Sequence, residues 1–196
     1  LNQKVIISNS LMSHDAHSMK SSDISLNFLP LFHVGGLNIL LLPTLLKGAS
    51  AILHEKFDSE IVAMEIERSK ITHMVTVPTI LDQLIKNKNW NRVDTSSLKA
   101  ISIGSTDVPI DLIKDTHRKK IPVVQIYGAT ETGPIAIYQK IKDAFKTEGS
   151  IGKVGFSCSV RIVDSNLNDL NLGDVGEILV KGDNVLECYW EDELET

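Results

Sequence analysis

The chain has 196 residues and a mass of 21.6 kDa, enough for one ordinary domain or one and a half. Its 20 Lys plus Arg against 25 Asp plus Glu set the formal charge at −5, which argues against a nucleic-acid binder that tracks phosphates through basic clusters. Hydrophobic residues at 42% and charged residues at 23% describe a globular chain, not a disordered one, long enough to bury roughly 70% of its unfolded surface.

Near the start, His14-Asp15-Ala16-His17 sets two histidines at i, i+3, a spacing that suits a metal. No third or fourth ligand stands nearby, so the pair reads as a solvated helix face. Ile24 to Leu29 alternates at period two and stops at Pro30, as a strand does. Leu37 to Leu46 is the most apolar stretch, but Asn38, Pro43 and Thr44 interrupt it and it is too short to span a bilayer. Asp58 is placed to cap a helix through Ile61, Val62, Met64 and Ile66. His73 to Val77 is β-rich and closed by Pro78. Thr79 with Asp82 then fits a capping box before the helical face of Ile80, Leu81, Leu84 and Ile85.

Ala100 to Ile103 is a short strand ended by Gly104. Pro109 suits the first turn of a helix carrying Ile110 and Ile113, and Val123 to Ile126 is a further strand. The run Lys114 to Lys120 reads as an exposed helix end, where cations suit the dipole. Strands separated by helix-length segments predict an α/β fold with a mostly parallel sheet and flanking helices over residues 1–145. Residues 146–196 change texture: Val160 to Val163 and Ile178 to Val180 are short β runs between Gly, Asn and Asp turns, a small β subdomain and part of a barrel. Cys158 and Cys188 lack CxxC spacing and read as plain thiols, and no signal segment opens the chain. A soluble, cytoplasmic location is the expectation. The chain opens at Leu1 without an initiator Met and closes at Thr196 without a terminating element, which reads as a piece of something longer.

Ligands of a parallel sheet gather at the carboxyl ends of its strands. The loop Tyr127-Gly128-Ala129-Thr130-Glu131-Thr132-Gly133 is the most informative there. It offers an aromatic face, two hydroxyls and one carboxylate, a set able to stack on a base, bond a phosphate and hold Mg²⁺. By composition alone it reads equally as a plain strand-to-loop turn with a solvated Glu.

In order, this loop resembles the YGxTE signature of the AMP-forming adenylating enzymes, the superfamily of acyl-CoA synthetases, luciferases and peptide-synthetase adenylation domains. Pro30-Leu31-Phe32-His33-Val34-Gly35-Gly36 is similar to the acyl-CoA ligase loop PLFHxGG, and Gly104 to Pro109 sits where the family has GGAPLP. Gly173 to Ile178, followed by Tyr189-Trp190, resembles GExGEI…GYW, and Lys4 to Ser8 the tail after the family's phosphate loop. The resemblance covers the whole chain. It implies the central part of an ATP-dependent acid–thiol ligase that forms acyl-AMP, transfers the acyl group to coenzyme A and releases AMP and pyrophosphate. The partners it implies are ATP, CoA and a small carboxylic acid, with no nucleic acid and no membrane span.

Residue by residue, the resemblance implies that Tyr127 stacks on adenine, with Gly128 and Ala129 shaping the same nucleotide loop. Thr130 bonds the α-phosphate and Glu131 carries Mg²⁺. Gly104, Ser105 and Thr106 border adenine and acyl group. His33 has two readings, an acyl-pocket group with a catalytic part or a hydrogen-bonded loop histidine. Amino-acid-activating relatives commonly carry Phe-Asp where this chain has Phe32-His33, which disfavours, without removing, that alternative. Ser105 stands where the resembling ligases usually have Gly; its bulk and hydroxyl disfavour a long apolar acid, unless it faces away and bonds a neighbouring amide. No Gly/Ser/Thr phosphate loop precedes Lys4, and the family's ribose Asp and C-terminal lid lysine are missing, so the fragment alone is expected to be inactive. A degenerate, non-catalytic adenylate-binding domain stays open, given the departure at Ser105 to Asp107. An α/β-hydrolase is the other class kept, on a Ser after a strand, although Ile103-Gly104-Ser105-Thr106-Asp107 is not the G-x-S-x-G it needs.

Overall fold

The computed structural model describes residues 1–196. It opens with helix α1 (Gln3–His17), capped by Asn2, whose Oδ1 accepts from Val5 N at 3.0 Å. Strand β1 (Ile24–Asn27) is shorter than the expected run to Leu29. Asn27 turns its Oδ1 onto Leu29 N at 3.2 Å and ends the ladder there. A helical turn α2 (Val34–Gly36), a π segment (Leu37–Leu41) and α3 (Leu42–Leu46) follow as one continuous path. The interruptions in its apolar run face inward: Asn38 and Thr44 are buried, and Thr44 Oγ1 donates to Ser25 Oγ at 2.9 Å.

Next come β2 (Ser50–Leu53), α4 (Ser59–Arg68), β3 (His73–Thr76) and α5 (Pro78–Ile85). Asp58 caps α4 as expected, accepting from Glu60 N at 2.9 Å and Ile61 N at 3.0 Å. The Thr79–Asp82 capping box does not form. Val77 holds the cap position without a side-chain bond, because Pro78 is already helical and its missing N–H is no loss there. Asp82 instead pairs with Lys86 at 2.7 Å on the surface. Then come β4 (Ala100–Gly104), α6 (Ile110–His117) and β5 (Val123–Tyr127), with Pro109 at the cap of α6 and not inside its first turn.

Seven strands make one sheet in the order β2-β1-β3-β4-β5-β6-β7, where β6 is Ile137–Tyr138 and β7 is Lys153–Val154. The first five run parallel and the last two pair antiparallel, so the expected α/β fold with a mostly parallel sheet is what forms. Strands β8 (Cys158–Val163) and β9 (Glu177–Gly182) form a separate two-stranded antiparallel sheet. No helix is long and apolar enough to cross a membrane.

Both faces of the sheet are covered, as parallel strands require. Leu26, Met74, Ile101, Ile103 and Val123 pack with Val62, Ile66, Leu81, Leu84 and Ile113 of α4, α5 and α6. The intervening Ala100, Val124 and Ile126 meet Met12 and Ala16 of α1. This second seam is unusually polar. The reading of His14 and His17 as a solvated face is overturned: His17 is 0% exposed, and His14 is half-buried with Nε2 donating to Pro43 O at 2.8 Å. His17 donates from Nδ1 to Ser13 O at 2.7 Å and accepts at Nε2 from Ser102 Oγ, while His73 Nε2 donates to His17 O at 3.2 Å.

Burial pushes His17 from an ordinary 6.5 down to about 3, and His73 shifts the same way. The folded chain therefore keeps His17 neutral where the unfolded chain takes a proton. This contribution to stability is complete above about pH 6.5 and is lost as pH falls towards 3, at about 1.4 kcal/mol per pH unit. Unfolding in denaturant between pH 7.5 and 5 should show a loss of about 2 kcal/mol from His17 by pH 5. His17→Gln should flatten that slope; an unchanged slope would remove His17 from the account.

Candidate active site

The loops after β1, β4 and β5 meet at the carboxyl edge of the sheet around a cavity of about 170 Å³. His33, Gly104, Ser105, Gly128, Ala129 and Thr130 line it, with Ile39, Ile126 and Pro134 as the apolar wall. Six of the residues singled out by sequence are thus brought together. Tyr127, half-exposed at the end of β5, and Thr106, exposed beyond Ser105, flank the cavity without lining it. Glu131 is half-buried and turned towards the chain end.

Two glycines make this convergence possible. A Cβ on Gly104 would strike the carbonyl oxygen of Ile126 on the neighbouring strand. One on Gly128 would strike the carbonyl of Pro134, with Thr132 Oγ1 only 2.7 Å away. Between Gly128 and Gly133 the chain makes a tight 3₁₀ turn over Thr130–Thr132. Thr132 Oγ1 accepts from Ala129 N at 2.8 Å and donates to Ala129 O at 3.1 Å, which lifts Thr130 to the cavity rim.

Three buried asparagines hold this turn from behind, and none was predicted. Asn9 Oδ1 accepts from Ile135 N at 3.0 Å, and Asn9 Nδ2 donates to Asn38 O at 2.7 Å. Asn38 Nδ2 donates to Gly133 O at 3.1 Å, and Asn184 Nδ2 donates to Thr132 O and Ile135 O at 2.9 Å each. The only sequence signal was Asn38 breaking an apolar run. Side-chain amides are needed here because an irregular buried loop has no ladder to satisfy its backbone groups.

His33 caps α2, its Nδ1 accepting from Gly35 N at 3.0 Å. That bond fixes the ring, which lines the cavity, so the hydrogen-bonded loop reading of His33 is what the structure shows. Glu131 Oε1 accepts from the Tyr189 hydroxyl at 2.7 Å, and this bond holds the carboxyl below its usual range, so it is ionised at neutral pH. No group of three His, Cys, Asp or Glu is arranged to hold a metal by itself. One ionised carboxylate beside the Thr130 rim nevertheless fits Mg²⁺, which is usually bound through one or two carboxylates together with substrate phosphates.

Ser105 lines the cavity with φ +76°, in the left-handed region that glycine favours. Relief of that strain, about 1–3 kcal/mol, exceeds the backbone entropy a glycine adds, about 0.5–1 kcal/mol. Ser105→Gly should therefore raise the melting temperature by about 2–4 °C, read by calorimetry.

The family model for AMP-binding enzyme matches residues 2–190. The chain belongs to this family. Among its relatives, indoleacetate–CoA ligase of Aromatoleum aromaticum is 46% identical over 192 residues, covering 98% of this chain and 38% of that protein. Feruloyl-CoA synthase of an Amycolatopsis species is 34% identical over 172 residues, 88% of this chain and 35% of its own length. The solved structure of o-succinylbenzoate coenzyme A synthetase from Bacillus subtilis, in complex with ATP and magnesium ion, superposes with a TM-score of 0.87 at 30% identity. That match covers 98% of this chain and 39% of the solved one. The chain thus spans just over a third of the length of the curated relatives it matches.

Proposed function

We propose that the chain is the nucleotide- and acyl-binding core of a CoA ligase that activates a compact aromatic carboxylate as its acyl-adenylate. The observation that carries this reading is the convergence of His33, Ser105 and Thr130 on one small cavity, with the ionised Glu131 beside it. In this reading the Tyr127 ring stacks on adenine and the main chain of Gly104 to Thr106 separates the base from the acid. The Thr130 hydroxyl donates to an α-phosphate oxygen. His33 Nε2–H, fixed by its bond to Gly35, faces the carboxylate as it attacks the α-phosphorus and pyrophosphate leaves. In the second step the thiol of CoA displaces AMP. Glu131, together with the substrate phosphates, would hold Mg²⁺, whose charge would offset theirs. The rest is positioning, which in a site dominated by phosphoryl charge supplies most of the acceleration.

The cavity's size and its apolar wall of Ile39, Ile126 and Pro134 favour a ring over a long chain, and the relatives act on indoleacetate, ferulate and succinylbenzoate. Residues 1–145 would carry nucleotide and acid, and residues 146–196 would brace the metal loop. Two free thiols, Cys158 and Cys188, suit a reducing cytoplasm. ATP–pyrophosphate exchange by the full-length ligase over indoleacetate, ferulate, succinylbenzoate, acetate and palmitate is the test. Exchange should be fastest with the aromatic acids. Exchange with none of them, or fastest with palmitate, would overturn the reading.

A further inference from the structure

The proposed chemistry assigns work to Glu131 but none to the residue that holds it. Tyr189 lies 58 residues further along the chain, yet its hydroxyl donates to Glu131 Oε1 at 2.7 Å. The approach is built, not incidental, because the segment leading to Tyr189 is strapped to the same loop. Asn184, 0% exposed, donates to Thr132 O and Ile135 O, and Leu186 N donates to Glu131 O at 2.8 Å. Both the backbone and the side chain of Glu131 are therefore gripped from this one segment.

The chemistry of the grip matters. Glu131 has no cationic partner, and the side-chain donor to its carboxylate is the Tyr189 hydroxyl. A Lys or Arg in that role would neutralise the carboxylate and compete with a bound cation. A neutral O–H orients the carboxylate, strengthens with its charge, and leaves that charge intact. Hydrogen bonds to metal-bearing carboxylates act in this way, by aiming them.

We propose that Tyr189 is a positioning residue for divalent-cation binding: its hydroxyl fixes Glu131 Oε1 so that Oε2 is presented to the metal of the metal–ATP complex. This rests on the reading of Glu131 given above. Without the hydroxyl the carboxylate must be ordered at the moment the cation binds, so the metal is held less tightly while the saturated enzyme still turns over.

The experiment compares wild type, Tyr189→Phe, Glu131→Gln and the double variant in the full-length ligase with ATP. Mn²⁺ is the probe, read by electron paramagnetic resonance, alongside the Mg²⁺ concentration giving half-maximal pyrophosphate exchange. Tyr189→Phe should weaken Mn²⁺ binding and raise the Mg²⁺ requirement about 10-fold. Exchange at saturating Mg²⁺ should stay within about 3-fold of wild type, since the chemical contacts are untouched. In the Glu131→Gln background the tyrosine change should add nothing further. Tyr189 is 40% exposed, so the melting temperature should hold, and a calorimetric scan checks this. If Glu131→Gln weakens Mn²⁺ binding but Tyr189→Phe leaves it unchanged or tightens it, the positioning role fails while the metal reading stands. If Glu131→Gln leaves Mn²⁺ binding unchanged, the metal reading fails and the proposal with it.

Discussion

Glu131→Gln should lower ATP–pyrophosphate exchange by the full-length ligase roughly 10²-fold at saturating Mg²⁺, about 2.7 kcal/mol of transition-state stabilisation. Glu131 is the sole carboxylate between Tyr127 and Gly133. The amide keeps the shape and can still accept from the Tyr189 hydroxyl, now 2.7 Å from Oε1, so the turn should stay in place. What is lost is the negative charge proposed to hold the cation. The pyrophosphate leaving group carries high charge density, and one missing cation contact in a partly dehydrated site is not replaced by water. Exchange equal to wild type would remove Glu131 from the metal site and with it the central support of the proposed chemistry.

Gly128→Ala is expected to be nearly as damaging by a different route. The new methyl would overlap the Pro134 carbonyl, whose carbon lies 2.7 Å from the ideal Cβ, and would crowd Thr132 Oγ1. Neither can step aside cheaply. Thr132 Oγ1 closes the turn onto Ala129, and the backbone on either side of Pro134 is held by Asn38, Asn9 and Asn184. The turn carrying Thr130 must therefore move as a body. Overpacking of this kind costs about 1–3 kcal/mol, and a displacement near 1 Å in a positioned site costs about 10²-fold in rate. Exchange measured well below the melting transition separates the two effects. A destabilised protein with undiminished exchange would show that Thr130 is not where the phosphate sits.

Much of this molecule is legible in contiguous stretches of sequence. The β4 to β5 region reads as strand, helix and strand because each element's apolar spacing is set by its own period, and Asp58 caps α4 where its side chain alone can reach. The cavity-lining residues were legible for the same reason. Each loop is a short run placed directly after a strand, and parallel pairing brings the ends of β4 and β5 to one edge. Of helix α1 only a helical face at His14 and His17 was legible, and its burial was not. Its buried side includes Ser8, Asn9, Ser10, Ser13 and His17, so no apolar stripe marks it.

The sequence by itself determined the strand–helix alternation, the family motifs and which residues are proposed here to meet phosphate and metal. Those properties are local, written within a few residues and enforced by backbone sterics and side-chain chemistry. Only the tertiary structure decided that His17 is buried against Ser102, 85 residues away, that Asn9 braces Ile135 across 126, and that Tyr189 reaches Glu131. A polar side chain carries no mark of whether it will meet water or a distant backbone group. That choice is made when packing closes the space around it, because a buried polar atom without a partner costs about 1–3 kcal/mol and the fold that supplies one is favoured.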